Sequence, residues 1–165
     1  MLRWSALHCS KAKFIFKFDY DCYIRVDNFI NQLKSFSPDK LYGFKKFYSK
    51  VQRTGKWAID RWYYPYKFYP AYAPSMYLIP GNATLAMYET VTSSPTTDTI
   101  PALPIEDAYI TGILAKKLCF PLAIYPNLNQ KYKNDQRSFA YRTKTIVVSE
   151  TNKDVDFRKI HSSCG

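Results

Sequence analysis

No stretch of the 165 residues is apolar for the ~18–20 positions that a helical membrane span needs. The N-terminal run Met1-Leu2-Arg3-Trp4-Ser5-Ala6-Leu7-His8-Cys9 also lacks the long apolar core of a signal peptide. No two of the four cysteines, Cys9, Cys22, Cys119 and Cys164, stand in C-x-x-C spacing, which argues against a zinc ribbon or a thioredoxin-type motif and leaves any disulfide pairing open. There is no internal repeat. Basic residues are scarce in the middle of the chain: residues 68–130 carry 2 Lys/Arg against 4 Asp/Glu. The formal charge of +11 therefore comes from residues 1–67, with 14 against 5, and from 131–165, with 8 against 4. Charge alone does not choose between a nucleic-acid partner and an anionic small substrate.

What the chain does have is apolar and aromatic weight. A hydrophobic fraction of 47% and 18% aromatics, mostly Tyr and Phe, exclude a disordered class, and the length suits one domain with its own core. Ala12 to Phe18 alternates in part and reads as a strand that runs into Asp19-Tyr20-Asp21. Val26, Phe29, Ile30 and Leu33 fall at helical spacing, with Asp27 near the helix start and Ser37-Pro38-Asp39 beyond its end. Leu41-Tyr42-Gly43-Phe44 reads as a short strand. Prolines argue against a continuous helix in residues 56–80, which read as an extended, aromatic-rich loop leading into a strand at Met76-Tyr77-Leu78-Ile79. Gly81-Asn82 caps a helix through Leu85, Ala86 and Tyr88, with Asn82-Ala83-Thr84 a formal glycosylation sequon. A Ser/Thr/Pro-rich connection, 93–104, precedes a helix from Ile105 or Glu106 to Leu118. Phe120 to Ile124 suggests a further strand, and Thr145 to Val148 another. This alternation implies an α/β class with a mixed sheet flanked by helices, whose ligand-binding loops gather at the carboxyl ends of strands.

Two carboxylate pairs carry the chemistry. Asp19 and Asp21, one residue apart at a strand end, can turn hard oxygen ligands toward one Mg²⁺ or Mn²⁺ shared with substrate phosphates. A bare D-x-D equally describes a polar turn with solvated acids. Glu106-Asp107, after Leu103-Pro104, opens a helix; such acids complement the helix dipole, or one of them serves as a general base.

Taken in order, these segments resemble glycosyltransferase family 31, the β-1,3-galactosyltransferase and β-1,3-N-acetylglucosaminyltransferase group. Trp4, Cys9 and Ala12-Lys13-Phe14-Ile15-Phe16-Lys17-Phe18-Asp19-Tyr20-Asp21 are similar to the family's W…C…AKF, two hydrophobic residues, K-x-DDD. Lys56-Trp57 follows, then Tyr69-Pro70-Ala71-Tyr72…Tyr77-Leu78-Ile79 against YPPYCSGxGYVLS, and Leu103-Pro104-Ile105-Glu106-Asp107-Ala108-Tyr109 against LPxEDVY. Order and approximate spacing hold over about residues 1–125. The departures are Tyr20 in place of the middle acid, Ala73-Pro74-Ser75-Met76 where the family carries Cys and Gly, and Pro80 for Ser.

The resemblance implies a GT-A-like domain and an inverting transfer of galactose or N-acetylglucosamine from a UDP-sugar to a hydroxyl of a glycan or glycoconjugate acceptor, in β-1,3 linkage. It implies Mn²⁺ or Mg²⁺ as cofactor, held by Asp19 and Asp21, with Tyr20 between them in the cofactor-binding turn. Asp107 would be the catalytic base with Glu106 beside it, and Trp57 and Tyr77 would line the sugar or acceptor pocket. The setting implied is the lumenal side of the Golgi membrane, reached through an anchor that this chain does not contain. The family's anchor, stem and first βα units, which hold the uridine, are expected to be missing. The expected organisation is a partial catalytic domain over 1–125 and a basic, polar extension over 126–165. Two other classes stay open: a catalytically inactive relative that binds without transfer, and a basic module whose aromatics stack on nucleic-acid bases. Acids at Asp19, Asp21, Glu106 and Asp107 argue against the last.

Overall fold

The computed structural model describes residues 1–20, 22–93 and 101–125, and beyond these only the backbone of 128–129 and 147–148. The expected extension over 126–165 otherwise lies outside the described residues. Four strands form a mixed sheet in the order β1-β4-β3-β5, where β1 is Phe14–Lys17, β3 Leu41–Gly43, β4 Tyr77–Pro80 and β5 Leu122–Ile124. β4 pairs antiparallel with both β1 and β3, and β3 pairs parallel with β5. A smaller sheet joins β2, Tyr23–Ile24, through β7, Val147–Val148, to β6, Leu128–Asn129. The mixed α/β class read from the sequence is thus observed.

Strand alternation divides the large sheet into two apolar faces, because successive side chains point to opposite sides. Phe14, Phe16, Leu78 and Tyr42 lie on one face and meet Phe29 and Leu33 of helix α2, Val26–Leu33, together with Phe36 and Tyr125. Two of the four helical positions singled out by spacing, Val26 and Ile30, remain exposed; only Phe29 and Leu33 turn to the sheet. The other face carries Leu41, Tyr77, Ile79 and Leu122, covered by Ala83 and Met87 of helix α3, Gly81–Ser93, and by Ile110, Leu114 and Ala115. The sheet is therefore the middle layer of three, as a two-faced apolar sheet requires.

Three local features differ from the sequence reading. Leu2–His8 forms a short helix, α1, which packs on α3 and buries only Ser5. Seven residues with no side-chain cap give little periodic signal, so contact with α3 rather than propensity makes this helix. Helix α3 starts at Gly81, directly after β4, with no intervening loop. A Cβ on Gly81 would lie 2.0 Å from the Ala12 carbonyl oxygen, and the Gly81 N–H donates to the Lys13 carbonyl at 3.0 Å, so glycine permits strand and helix to meet here. The segment opened by Glu106-Asp107 is π-helical over Ala108–Leu114 before it becomes α4, Ala115–Lys117. The Thr111 hydroxyl donates to the Asp107 carbonyl at 2.7 Å, competing for the oxygen that a regular helix gives to a backbone N–H.

The aromatic segment is extended and proline-broken as expected, but it is organised. Bridges Lys46–Tyr72 and Lys50–Phe68 close it into a long antiparallel loop. Inside it the Arg53 guanidinium donates to the carbonyls of Ile59, Tyr64 and Tyr66 at 2.6, 3.0 and 2.7 Å. Tyr64, Tyr69 and Tyr72 pack ring on ring and against Leu103, Ala108 and Ile113, forming a second core. This core anchors the loop to the start of the π-helical segment.

Candidate active site

The register of the sheet builds the site. Lys17 at the end of β1 lies opposite Tyr77 of β4, which in turn lies opposite Gly43 of β3. Cross-strand partners project to the same face, so the lysine and the tyrosine emerge side by side. Gly43 leaves room beside them: a Cβ there would come within 2.6 Å of the Ala73 side chain. The turn Ala73–Met76 uses that room to fold over the sheet.

The Glu106-Asp107 pair reaches the same place from the opposite side. The buried Thr111 hydroxyl accepts the Ala73 N–H at 2.8 Å and donates to the Asp107 carbonyl, tying turn and helix start together. Ser75 has a left-handed backbone, φ 64°, in the segment where the family pattern carries glycine, and its N–H donates to Asp107 Oδ2 at 2.9 Å. A side chain in this conformation costs about 1–2 kcal/mol. The amide thereby directed at a carboxylate is a charge-assisted hydrogen bond, among the stronger kinds.

At the centre stands the Lys17 ammonium. Its Nζ is 2.7 Å from Asp19 Oδ1, 2.7 Å from Glu106 Oε1 and 3.0 Å from Asp107 Oδ1. It also approaches the Ser75 carbonyl at 3.3 Å and lies 5.4 Å from the centre of the Tyr77 ring. The Tyr77 hydroxyl donates to Glu106 Oε2. Carboxylates from two distant parts of the chain are thus gathered by one cation that the sequence reading did not single out. Its signal was available: Lys17 shares a strand face with Ile15, just before the aspartate turn, where a fully apolar side chain would be ordinary.

Burial and pairing set the protonation of the group. Burial works against the Lys17 charge, but Asp19 and Glu106, followed by Asp107, more than compensate and hold the ammonium above the usual lysine range. Burial also pushes Glu106 up, yet Lys17 and then Tyr77 outweigh it and keep the carboxyl below its ordinary value. Asp107 goes the other way. Burial raises its carboxyl to about 6 with help from neighbouring Glu106, against the pull of the Ser75 amide and Lys17. Tyr77 is driven up by burial and by Glu106, so its hydroxyl stays protonated. A mostly buried carboxyl raised to about 6 beside an ionised one suits proton transfer near neutral pH.

The remaining candidates fall as follows. Asp19 is part of the cluster and 41% exposed at its side chain. Tyr20 projects into solvent, 98% exposed. Asp21 lies outside the described residues. Tyr77 is fully buried within the cluster. Trp57 stands apart: it is half exposed, with the Lys56 ammonium 4.7 Å from its ring centre, and it shares no ring contact, hydrogen bond or ion pair with the cluster among the described residues. Among those residues no set of three His, Cys, Asp or Glu side chains is arranged to hold a metal by itself, and the Lys17 ammonium stands among Asp19, Glu106 and Asp107. The chemistry nevertheless fits a hard divalent cation at the rim. Three carboxylates against one ammonium leave excess negative charge, and Asp19 and Glu106 are the two more exposed acids, with Asp19 bound to the lysine through Oδ1.

A galactosyltransferase family model matches residues 1–124. β-1,3-Galactosyltransferase 1 of Mus musculus and that of Homo sapiens are each 28% identical over 149 residues, 84% of this chain and 41% of theirs. Hydroxyproline O-galactosyltransferase GALT6 of Arabidopsis thaliana is 38% identical over 68 residues, 40% of this chain and 10% of that protein. The chain thus spans about two fifths of the length of the first of these relatives. Among the described residues no helix is long and apolar enough to cross a membrane.

Proposed function

We propose that this chain, which belongs to the galactosyltransferase family, is the metal-binding and acceptor-activating part of a GT-A-like enzyme that transfers galactose or N-acetylglucosamine from a UDP-sugar to a glycan hydroxyl. The observation that carries the proposal is the placement of Asp107: mostly buried, fixed by the Ser75 amide and Lys17, and gathered with Asp19 at one sheet end, where burial raises its carboxyl to about 6. Ionised at neutral pH, Asp107 takes the proton from the acceptor hydroxyl as that oxygen bonds to the anomeric carbon. The bond from that carbon to the diphosphate breaks, and a single displacement inverts the configuration, here to a β-1,3 linkage. Glu106, held by Lys17 and the Tyr77 hydroxyl, stays ionised and keeps the Asp107 carboxyl basic. Asp19, with Asp21, would hold Mn²⁺ or Mg²⁺, and the ion supplies charge neutralisation of the departing diphosphate. Tyr77 fixes the pocket floor, and Trp57 would reach sugar or acceptor from the loop. The setting proposed for such an enzyme is the Golgi lumen.

Calorimetry of UDP binding with and without Mn²⁺, paired with a transfer assay from UDP-galactose and UDP-N-acetylglucosamine and carried out on this chain joined to the uridine-holding units of its family, tests this reading. Asp19→Ala and Asp21→Ala are expected to abolish metal-dependent binding; Asp107→Asn is expected to keep binding and lose transfer by about 10²–10⁴-fold. Binding in the unaltered chain without any transfer would favour an inactive relative. Indifference of both measurements to all three substitutions would refute the proposal.

A further inference from the structure

A lysine ammonium and a divalent metal compete for the same ligands, and here the lysine holds three carboxylates that belong to different tasks. Asp19 and Glu106 are about equally exposed at their side chains, 41% and 46%, but Glu106 gives one oxygen to Lys17 and the other to the Tyr77 hydroxyl, whereas Asp19 meets Lys17 through Oδ1. Asp107 is 19% exposed and Lys17 18%. The ammonium cannot readily leave. Its strand is fixed by antiparallel pairing to β4, the Tyr77 ring lies beside it, and the Ser75 carbonyl is 3.3 Å away. A divalent ion needs its oxygens at about 2.0–2.6 Å, and placing it among these three carboxylates would set two cations almost in contact. A carboxylate that coordinates a metal is also a poor base, since the metal stabilises its ionised form.

From this geometry we propose that Lys17 is the resident cation of the Asp19–Glu106–Asp107 cluster and confines a bound divalent metal to the Asp19 side of it, keeping Glu106 and Asp107 out of its coordination. The inference rests on the proposed metal site and goes beyond it: Lys17 is a positioning residue that separates the metal-holding acid from the proton-accepting acid. Removing the ammonium frees three carboxylates around one point. That set would attract Mn²⁺ more strongly and recruit Glu106 as a ligand.

Mn²⁺ alone is the probe, with the 165-residue chain titrated by loss of the free-ion electron paramagnetic resonance signal and by the metal-induced rise in melting temperature. With Lys17 in place, Glu106→Gln is expected to change Mn²⁺ affinity by less than about threefold, the scale of losing one nearby charge. Lys17→Met is expected to tighten binding by about tenfold or more and to enlarge the melting-temperature rise. Glu106→Gln added to Lys17→Met should then remove most of that gain. A Lys17→Met chain that binds Mn²⁺ no tighter than the original overturns the inference, as does a tenfold loss on Glu106→Gln with Lys17 present. The second result needs only a chain with its lysine intact, so it decides even where Lys17→Met does not fold. Absence of Mn²⁺ binding in the original chain would count against the proposed metal site, while a site created by Lys17→Met would still support the role of the lysine.

Discussion

Replacing Thr111 by valine changes one atom pair at the joint between the Ala73–Met76 turn and the helix that carries Glu106-Asp107. Thr111 is 1% exposed, and its hydroxyl accepts from the Ala73 N–H at 2.8 Å and donates to the Asp107 carbonyl at 2.7 Å. Valine keeps the shape but can do neither. Ala73 is fully buried, so its N–H would be left without that acceptor, at a cost of about 1–3 kcal/mol. The Asp107 carbonyl loses less, because a helical N–H can take its place. The extra buried methyl returns about 1 kcal/mol, leaving a net loss of roughly 1 kcal/mol. Thr111→Ser keeps the hydroxyl and gives up one buried methyl, a loss of about 1 kcal/mol. Urea unfolding at equilibrium, followed by circular dichroism, should therefore place both Thr111→Val and Thr111→Ser about 1 kcal/mol below the threonine chain, with unchanged m. If burial alone governed the position, valine would match or exceed threonine and serine would be the weakest. That order would refute the assignment of the hydroxyl as the joint.

Carbon-13 NMR of the metal-free chain should show the Asp107 carboxyl titrating with an apparent midpoint near pH 6, and a midpoint at or below about 4 would contradict the burial argument. The sign follows: between about pH 4 and 6 the native state binds more protons at Asp107 than the unfolded chain does, so this group lowers stability as pH rises through that window. Asp107→Asn should flatten this part of the pH–stability curve, while Glu106, held below its ordinary value, contributes stability that is lost as pH falls through its lowered range. Gly81→Ala drives a Cβ into the Ala12 carbonyl at 2.0 Å and should cost more than about 3 kcal/mol or prevent folding, whereas Gly112→Ala, whose Cβ meets the Tyr72 Cβ at 3.1 Å, should stay within about 1 kcal/mol of the original by urea unfolding. Arg53→Lys keeps charge but not the planar fork that holds three carbonyls; a loss of about 1.5–3 kcal/mol and faster proteolysis within 54–68 are expected, and an unchanged cleavage rate would refute the organising role of Arg53.

The sheet and its helices were legible because their signals are local. Period-2 alternation in Phe14–Lys17, helical spacing of Phe29 and Leu33, and the Pro-broken aromatic run each constrain the backbone where they occur. Features created by distant contacts were not legible. Helix α1 forms against α3, so seven residues without a cap say little about it in isolation. Within the π-helical turns Thr111 serves two backbone groups, one of them on a turn 38 residues away. Gly81 looks like a cap in sequence; its closer constraint is the Ala12 carbonyl, which only the packed strand reveals.

The site shows the same division more sharply. Patterns of acids pointed to Asp19 and to Glu106-Asp107 as separate pairs, each with an ordinary polar explanation. What makes them one site is the register of β1 on β4, which places Lys17 beside Tyr77 and so under both acids of the distant helix start. No spacing rule connects residue 17 to residue 107, and a lysine at a strand end carries no catalytic signature by itself. Its neighbours give it meaning: three carboxylates within 3.0 Å cannot all be ionised and close without a cation among them. The lysine supplies that cation, and the protonation states follow from its uneven reach. Glu106 receives both the ammonium and the Tyr77 hydroxyl and stays charged, while Asp107, more buried and paired with an amide as well, remains the carboxyl free to gain and lose a proton.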